Sequence, residues 1–495
     1  MTAPVANQAP AAAPPTGRLD KHMARAMAWT GIAKWGTQLL TWGSTIVVAR
    51  ILNPSDYGLI GMATIYLGLV ALISEFGLGQ AVITLRHLDD HQVSQLNTLS
   101  LLFGLLLFVL SLGVAWPMGQ FFNAPKLPQV VIVMSIGFLL TGLQVVPEAL
   151  LQRDLRFKLL ASFDGAKALA TALGTVTFAM LGFGYWSLAL GGLLTPLIGT
   201  TLVLIARRHA FASPRMERLS EALSFSRNVL VSRVAWYFYS NSDFLVAGRV
   251  FGQGPLGEYT LAWTVASTPV EKITNMVTRV TPAFFSAVQK EPAELRRYLL
   301  RITEVLALLT FPASLGLAVV ADQFVQVVLG PKWMGATMPL RMLGIYAAMR
   351  SITTLLPSIL NATGHSLFQM WNTVAAAIIF PLAFLGASRW GTSGIAVAWV
   401  ILYPIITLPL YWCTFREIKL PAGEYLRSLG PAMLSSVLMV LCVVGMRRAL
   451  PANWPVAAQL TLSVSTGVLG YAAILFALHR ERLRSLLGNL RALKS

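Results

Sequence analysis

The chain has 495 residues, of which 56% are hydrophobic and 12% are charged, against about 25% charged residues in a typical globular domain. This composition excludes a soluble globular protein and indicates a protein that lies in a membrane. The net charge of +18 does not indicate a nucleic-acid partner, because the basic residues stand beside apolar spans, where they mark membrane topology.

Apolar runs of about 20 residues recur from Ala24 to Leu478, and each is long enough to cross the hydrocarbon core of a bilayer. They predict an all-α integral membrane protein with about fourteen transmembrane helices. The spans lie near residues 24–49, 57–83, 96–121, 128–150, 159–181, 185–206, 224–248, 259–287, 299–321, 338–361, 367–387, 391–413, 428–446 and 456–478.

The chain contains two similar passages, VVARILNPSDYGLIGMA from Val47 and LVAGRVFGQGPLGEYTLAW from Leu245. Both place an arginine after an apolar run (Arg50 and Arg249), then a short turn and an acid–Tyr pair. We interpret these arginines as structural residues that fix their own turns. A duplicated set of spans is typical of secondary transporters, whose substrate site lies between the repeats. Further matched anchors are Pro147 with Pro357, and GYWSLAL from Gly184 with GTSGIAV from Gly391.

Six spans in each repeat would bring both copies into the membrane from the same side, as parallel repeats. With both termini on one side, about 24 of the 38 Lys and Arg residues fall on that side and about 7 on the other. Both termini are therefore predicted to be cytoplasmic, with basic loops against anionic lipid headgroups. The predicted parts are a disordered cytoplasmic tail (1–19), an N-lobe (20–208), a cytoplasmic linker (209–222), a C-lobe (223–415), two extra spans (416–480) and a basic cytoplasmic tail (481–495).

Polar residues at helical spacing predict a hydrated cavity between the lobes. The first span carries Lys34, Gln38, Thr41 and Thr45 on one face, and the seventh span carries Arg233, Trp236, Ser240 and Asp243. The alternative is hydrogen bonding between helices, with the charged ends reaching the membrane surface.

The eighth span aligns Lys272, Asn275 and Arg279 at intervals of three and four. Two cations on one face suit an anionic substrate, and the alternative is structural pairing with acids on other helices. Asp164 and Lys167 lie three residues apart and are expected to neutralise each other.

Other intramembrane charges leave several roles open. Each lone carboxylate can take up a proton, coordinate a cation or pair with a basic neighbour; this group is Glu75, Glu148 (with Gln144 one turn away) and Glu304. Arg341 and Arg350 lie nine residues apart, so at most one of them is expected to line a cavity. The sequence has no nucleotide-binding loop, no His and Cys cluster for a metal and no catalytic triad, so we expect no enzyme, cofactor or metal.

Three passages carry a resemblance to a known family: ARILNPSDYGLIGMA (49–63), EFGLGQAVI (75–83) and NSDFLVAGRVFGQGPLGEYTLA (241–262). They closely resemble the polysaccharide-transport branch of the multidrug/oligosaccharidyl-lipid/polysaccharide exporter superfamily, most of all its exopolysaccharide exporters. The resemblance implies a flippase in the bacterial inner membrane that moves a polyprenyl-diphosphate-linked oligosaccharide by alternating access. It also implies that spans one, two, seven and eight line the cavity, and that polymerases and glycosyltransferases of the same pathway are partners.

Under this resemblance, the diphosphate is expected on Lys34, Lys272 and Arg279, because Lys and Arg donors suit phosphate oxygens. The sugars would occupy the cavity, where Trp236 and Tyr237 would stack on them. The coupling ion, a proton or sodium, is assigned to Glu148 or Asp243. The cavity lining would be formed by Gln38, Thr41, Ser240 and Asn275, with Arg233 on the same helix as Ser240.

Three alternatives remain open from the residues alone. A multidrug or organic-cation antiporter would need unpaired carboxylates in the cavity, and a peptidoglycan lipid-precursor flippase would be essential for growth. A scaffold that holds polymerase and glycosyltransferases would tolerate substitutions in the cavity.

Overall fold

A computed structural model of the protein describes residues 36–38, 40–74, 78–85, 88–213, 220–278, 281–451 and 453–492. These residues are almost entirely helical and contain no β-strand. Nine of their stretches are long and apolar enough to cross a membrane. One of these stretches, Ser366–Glu417, comprises two helices joined by a 3-10 turn. The prediction of an all-α membrane protein is therefore confirmed.

The described part of the first half contains seven helices. Helix α1 spans residues 40–51. The others are α2 (Pro54–Ser74), α3 (Leu78–Thr84), α4 (Asp90–Phe121), α5 (Leu127–Arg153), α6 (Phe157–Met180) and α7 (Trp186–Ala206).

The second half begins with α8 (Ser220–Phe251). The helices that follow it are α9 (Gln253–Thr278), α10 (Thr281–Ala287), α11 (Pro292–Val319), α12 (Ala321–Phe324), α13 (Thr337–Thr353), α14 (Leu356–Ala362), α15 (Ser366–Ala387), α16 (Gly391–Glu417), α17 (Ala422–Ala449) and α18 (Val456–Ala492). A π-helical turn (Val325–Leu329) and a 3-10 turn (Pro331–Ala336) lie between α12 and α13.

The two halves interrupt their helices at matching places. The long helix α2 is followed by the seven-residue α3, and the long helix α9 by the seven-residue α10. Gly184, before α7, has φ +56°, and its sequence counterpart Gly391, at the start of α16, has φ +72°. A positive φ is open to glycine because it has no Cβ. The matched glycines therefore both provide a positive φ where a helix begins.

Small residues bring neighbouring helices close together. In the first half, a Cβ added to Gly104 of α4 would lie 2.5 Å from the carbonyl oxygen of Phe138 in α5. Ser100 donates its hydroxyl to the carbonyl of Gly142 on the same pair of helices at 2.9 Å. Close backbone approach and interhelical hydrogen bonds hold membrane helices together where apolar burial cannot.

The halves contact each other mainly through α2, which packs on α8 and α9, and through α3, which packs on α8. Within the second half, α13 packs against α9, α11 and α16, and α15 packs against α8. The last two helices pack on each other, and α17 packs on α11. They are anchored to the break after α11 by Arg447, whose NH1 and NH2 donate to the two oxygens of Asp322 at 3.2 and 2.5 Å.

The segment that follows α7 is bound to the start of α4. The side-chain amide of Asn97 donates to the carbonyls of His209 and Ala210 at 3.3 and 3.2 Å. The amide of Gln95 donates to the carbonyl of Ser213 at 3.0 Å. The connection between the halves therefore leaves the first half along α4.

Candidate functional site

A cavity of about 260 Å³ opens between α8, α9 and α13 in the second half. On α9 it is lined by Trp263, Ser267, Glu271 and Asn275, which follow one another at intervals of four residues. This spacing places them along one helix face. Trp236 lines the cavity from α8, and its side chain is 48% exposed.

Among the described residues that line this cavity, the charged side chains form one ion pair, which joins two helices. Arg350 of α13 donates from NH1 to Oε1 of Glu271 at 3.1 Å. The two side chains are 34% and 43% exposed, so both remain in reach of a cavity ligand. Arg350 has donors in addition to the one used here, because a guanidinium carries five N–H groups. The site can therefore take an anion on the arginine without first losing the carboxylate.

One aromatic cluster forms a wall of the cavity and continues behind it. Trp399 of α16 lies at its centre, with its ring centroid 4.7 Å from Tyr346 and 5.8 Å from Trp263, both of which line the cavity. On its other sides the same indole contacts Phe380 and Phe384 at 4.5 and 5.1 Å. Such packing fixes the position of the cavity wall.

Asp243 lies behind this wall and is fully buried. Its Oδ2 accepts hydrogen bonds from the hydroxyl of Tyr259 at 2.7 Å and from the indole N–H of Trp399 at 2.9 Å. Its Oδ1 is buried with no hydrogen-bond partner among the described residues. Because a buried polar atom without a partner is costly, this carboxyl group has an unfilled binding capacity.

The predicted site residues divide between this cavity and other places. Asn275 and Trp236 line the cavity. Lys272 is exposed on α9, does not line the cavity and makes no ion pair or hydrogen bond with the described residues. Ser240 is half-buried on α8, outside the cavity lining. Lys34 and Arg279 lie outside the described residues, as does the side chain of Arg233.

The described site residues of the first span differ in exposure. Gln38 is half-buried, whereas Thr41 is exposed and donates its hydroxyl to the carbonyl of Thr37 at 2.9 Å. Tyr237, expected to stack on a sugar, donates its hydroxyl to the carbonyl of Ile65 in α2 at 2.8 Å. This hydrogen bond joins the two halves, and the stacking of the Tyr237 ring on a sugar stays a prediction.

A second polar group lies in the first half, among α5, α6 and α7. Gln144 donates its amide to Oε2 of Glu148 at 2.5 Å, and Thr200 donates to the other end of that amide at 3.4 Å. Nearby, Lys167 and Asp164 form the expected ion pair at 2.7 Å. Glu148 thus has an amide partner and no ion pair with the described residues.

Arg350, Tyr346 and Trp263 are cavity residues that the sequence interpretation did not assign to the site. Two signals in the sequence correspond to them. Trp263, Ser267 and Glu271 share a face of α9, and Tyr346 and Arg350 lie four residues apart on α13. The sequence favoured the neighbouring face of α9, because Lys272 and Arg279 carry cations there.

A family model described as "Polysaccharide biosynthesis protein" matches residues 47–338, more than half of the chain. The chain belongs to this family. The family resemblance seen in the sequence is therefore confirmed.

Two relatives match this chain along most of their length. The succinoglycan biosynthesis transport protein ExoT of Rhizobium meliloti is 26% identical over 485 residues, which cover 96% of this chain and 97% of ExoT. The teichuronic acid biosynthesis protein TuaB of Bacillus subtilis is 26% identical over 423 residues, covering 82% and 85%. Among solved structures, the lipid II flippase MurJ in an inward closed conformation has a TM-score of 0.71 at 13% identity, covering 92% of this chain and all of that one. At that identity the likeness concerns the fold.

Proposed function

We propose that this protein is a flippase that moves a polyprenyl-diphosphate-linked oligosaccharide across the bacterial inner membrane by alternating access. The product would serve the synthesis of exopolysaccharide, O-antigen or capsule. The observation that carries the proposal is the cavity of Arg350, Glu271 and Asn275 beside the indoles of Trp236 and Trp263, found within a chain of the polysaccharide biosynthesis family. Guanidinium and indole groups are the donors and platforms that suit a diphosphate and its sugars.

The names of the relatives support this reading. ExoT is named as a transport protein of succinoglycan biosynthesis, and TuaB as a protein of teichuronic acid biosynthesis. One name states transport and both state biosynthesis, so a carrier of a biosynthetic precursor fits the names. Polymerases and glycosyltransferases of the same pathway are the partners that this role requires.

The proposed topology has fourteen spans and cytoplasmic termini. Apart from the four-residue α12, each helix from α1 to α18 overlaps one predicted span. In this orientation the basic turns around Arg153, Arg207 and Arg296 face the cytoplasm, as basic loops do. The ends of α1 and α8, which carry Arg50 and Arg249, then face the periplasm. Helices α1–α7 would form one lobe and α8–α16 the other, with α17 and α18 as an appendage.

In the proposed mechanism, the diphosphate binds Arg350 when the cavity is open to the cytoplasm. Glu271 holds the guanidinium in place before the substrate arrives, and Asn275 and Trp236 contact the first sugars. Lys272 and Lys34 would extend the cationic path through the wider space between the lobes, together with Arg279 and Arg233. Further polar lining would come from Gln38, Thr41 and Ser240, while the polyprenyl tail stays in lipid.

We also propose that Asp243 binds the coupling ion and that this ion is a proton. The carboxyl group is fully buried, has one oxygen without a partner and receives two hydrogen bonds from aromatic side chains. Sodium, as a hard cation, requires several oxygen ligands. The groups packed on Asp243 are hydrogen-bond donors and aromatic rings, so a proton suits the site better than a metal ion. Glu148, with its amide partner, is the second candidate.

The test is a transport assay with purified protein in liposomes. The probe is a polyprenyl-diphosphate disaccharide that carries a fluorophore quenched by external dithionite. Protein-containing liposomes should expose the inner-leaflet probe faster than empty ones. Arg350→Gln should slow the exposure of the inner-leaflet probe about tenfold, because charge-assisted hydrogen bonds to the diphosphate are lost. The matched control Arg389→Gln changes an exposed arginine that has no hydrogen bond or ion pair with the described residues, and it should keep the parent rate. Equal rates in parent and empty liposomes would overturn the proposal.

A further inference from the structure

The two repeated arginines reach across the contact between the halves, and the expectation that they fix their own turns is corrected. Arg50, at the end of α1, donates from Nε to the carbonyl of Val328 at 2.9 Å and from NH2 to the carbonyl of Val327. Both carbonyls belong to the π-helical turn of the second half. In return, Trp333 donates its indole N–H to the carbonyl of Ala49 at 2.8 Å.

Arg249, at the end of α8, makes the reciprocal contact with the first half. Its guanidinium lies 5.5 Å from the ring centroid of Phe121 at the end of α4. With the Asn123 amide turned so that its oxygen faces the arginine, NH1 donates to that oxygen at 3.0 Å. In the order of the repeats α4 corresponds to α11, so both arginines bind the segment that follows the fourth helix of the opposite half.

Two glycines repeat the same reciprocity between α2 and α9. A Cβ added to Gly58 of α2 would lie 1.7 Å from the carbonyl oxygen of Gln253, and one added to Gly257 of α9 would lie 1.8 Å from that of Pro54. Real Cβ atoms do not approach a backbone oxygen so closely. The two helices therefore touch backbone to backbone, and any side chain at either glycine would force them apart.

These residues occupy one end of the contact between the halves, which we name the end seam: Arg50, Gly58, Arg249, Gly257 and Trp333. We propose that the end seam is the periplasmic gate of the transporter, closed in this structure, and that both arginine contacts break when the gate opens. This inference rests on the alternating access of the proposed function.

The chemistry of the end seam suits a reversible closure. The arginines bind carbonyl and amide oxygens, which water can satisfy once the halves separate. The glycine contacts depend on close van der Waals approach, which is lost over a short distance. Because each half contributes one arginine and one glycine, a single rotation of one half against the other releases all four contacts together.

The two arginine contacts differ in extent. The Arg50 side is reinforced by Lys332, which donates to the carbonyl of Arg50 at 2.9 Å, and by the edge of Tyr57 against Trp333, with centroids 5.2 Å apart. Trp333 is fully buried there. The Arg249 side has one hydrogen bond and one ring contact. Loss of Arg50 should therefore open the gate more than loss of Arg249.

The experiment measures access from the periplasm to a cysteine in the cavity. Ser267→Cys, in a chain whose Cys413 and Cys442 are replaced by alanine, places one thiol on the cavity face of α9. Spheroplasts are treated with a membrane-impermeant maleimide, and the labelling rate is measured. Gly58→Ala and Gly257→Ala should each raise the rate roughly tenfold or more, because the added methyl excludes the closed contact and shifts the population to the open state.

Matched controls separate the gate from general loosening. Gly254→Ala, at the start of α9, adds a methyl group where no atom lies within 4 Å, so it should leave the labelling rate unchanged. Arg50→Gln and Arg249→Gln should both raise the labelling rate, and Arg50→Gln should raise it more. Arg389→Gln should leave the labelling rate unchanged. The arginine variants change exposed side chains, so they keep the test valid even where a glycine variant fails to insert.

Two outcomes would contradict the proposal. One is labelling at the parent rate in membrane-inserted Gly58→Ala and Arg50→Gln. The other is a rise seen only in inside-out vesicles, since the end seam would then close the cytoplasmic side. Labelling does not require the substrate, so it separates failure of the gate from failure of the proposed function. A gate that opens as expected in a protein without flippase activity would leave this inference standing.

Discussion

Substitutions in the ion pair of the cavity test whether the arginine or the carboxylate is the group that binds the substrate. We consider Arg350→Gln and Glu271→Gln, singly and together. The pair joins two helices at 3.1 Å with side chains 34% and 43% exposed. Removing one partner costs about 3–5 kcal/mol when a pair is buried and about 0.2–1 kcal/mol when it is exposed. For this partly hydrated pair, we expect each single variant to lose about 1–2 kcal/mol of unfolding free energy.

The two single variants should have similar stability but different affinities for the substrate. Arg350→Gln loses a charged donor to the diphosphate, which corresponds to about 1.5–3 kcal/mol, or roughly 10- to 100-fold in the dissociation constant. Glu271→Gln frees the guanidinium and should bind the substrate as tightly as the parent or more tightly. The measurements are thermal unfolding by tryptophan fluorescence and titration of nanodisc-embedded protein with a short-chain prenyl-diphosphate disaccharide.

The control is Arg341→Gln, which changes an arginine paired with Asp322 away from the cavity. It should leave binding unchanged. Should Arg350→Gln bind the probe as the parent does while Glu271→Gln binds it poorly, the carboxylate would be the contact group. That result would refute the diphosphate site and favour an organic-cation antiporter, for which Arg350 would be a repulsive neighbour.

Three other predictions concern coupling and assembly. Asp243→Asn keeps an acceptor oxygen for Tyr259 and Trp399 but cannot bind a proton, so transport in liposomes should lose its dependence on a pH gradient; an unchanged dependence would exclude this residue. Arg447→Ala releases α17 from Asp322 and should lower the unfolding temperature by several degrees, whereas exposed Arg448→Ala should not. Asn97→Ala removes both bonds to the segment after α7 and should speed its cleavage by added protease, with export of polymer as the control for correct insertion.

Much of the fold could be predicted from the sequence, because lipid imposes helices on every apolar run of sufficient length. The repeat was also visible, since both halves need the same turns. Gly184 and Gly391 are matched in sequence and share a positive φ. What the repeat could not give is the direction in which Arg50 and Arg249 extend. Each has its partners in the opposite half, and a contact between segments far apart in the chain has no local signature.

The cavity was harder to predict because α9 is polar on two adjacent faces. Lys272 belongs to one face, while Trp263, Ser267 and Glu271 belong to the next. Helical spacing identifies both faces and does not say which one meets α13. The decisive neighbour is Arg350, whose partner Glu271 lies 79 residues earlier in the chain. Asn275 lies near the border of the two faces, which is why it was found.

Asp243 connects the end seam with the cavity. One of its donors, Tyr259, belongs to the repeated acid–Tyr pair and lies two residues after Gly257, the glycine that touches α2. The other donor, Trp399, packs on Tyr346 in the cavity wall. Under the proposed function, a proton on Asp243 would remove the negative charge that accepts both hydrogen bonds, and it would thereby act on the end seam and on the cavity wall. In the first half, the matching Tyr57 packs against Trp333, and its hydroxyl donates to the carbonyl of Thr45 at 3.5 Å. Each half thus contributes one arginine and one glycine to the end seam, whereas the proposed proton site belongs to the second half.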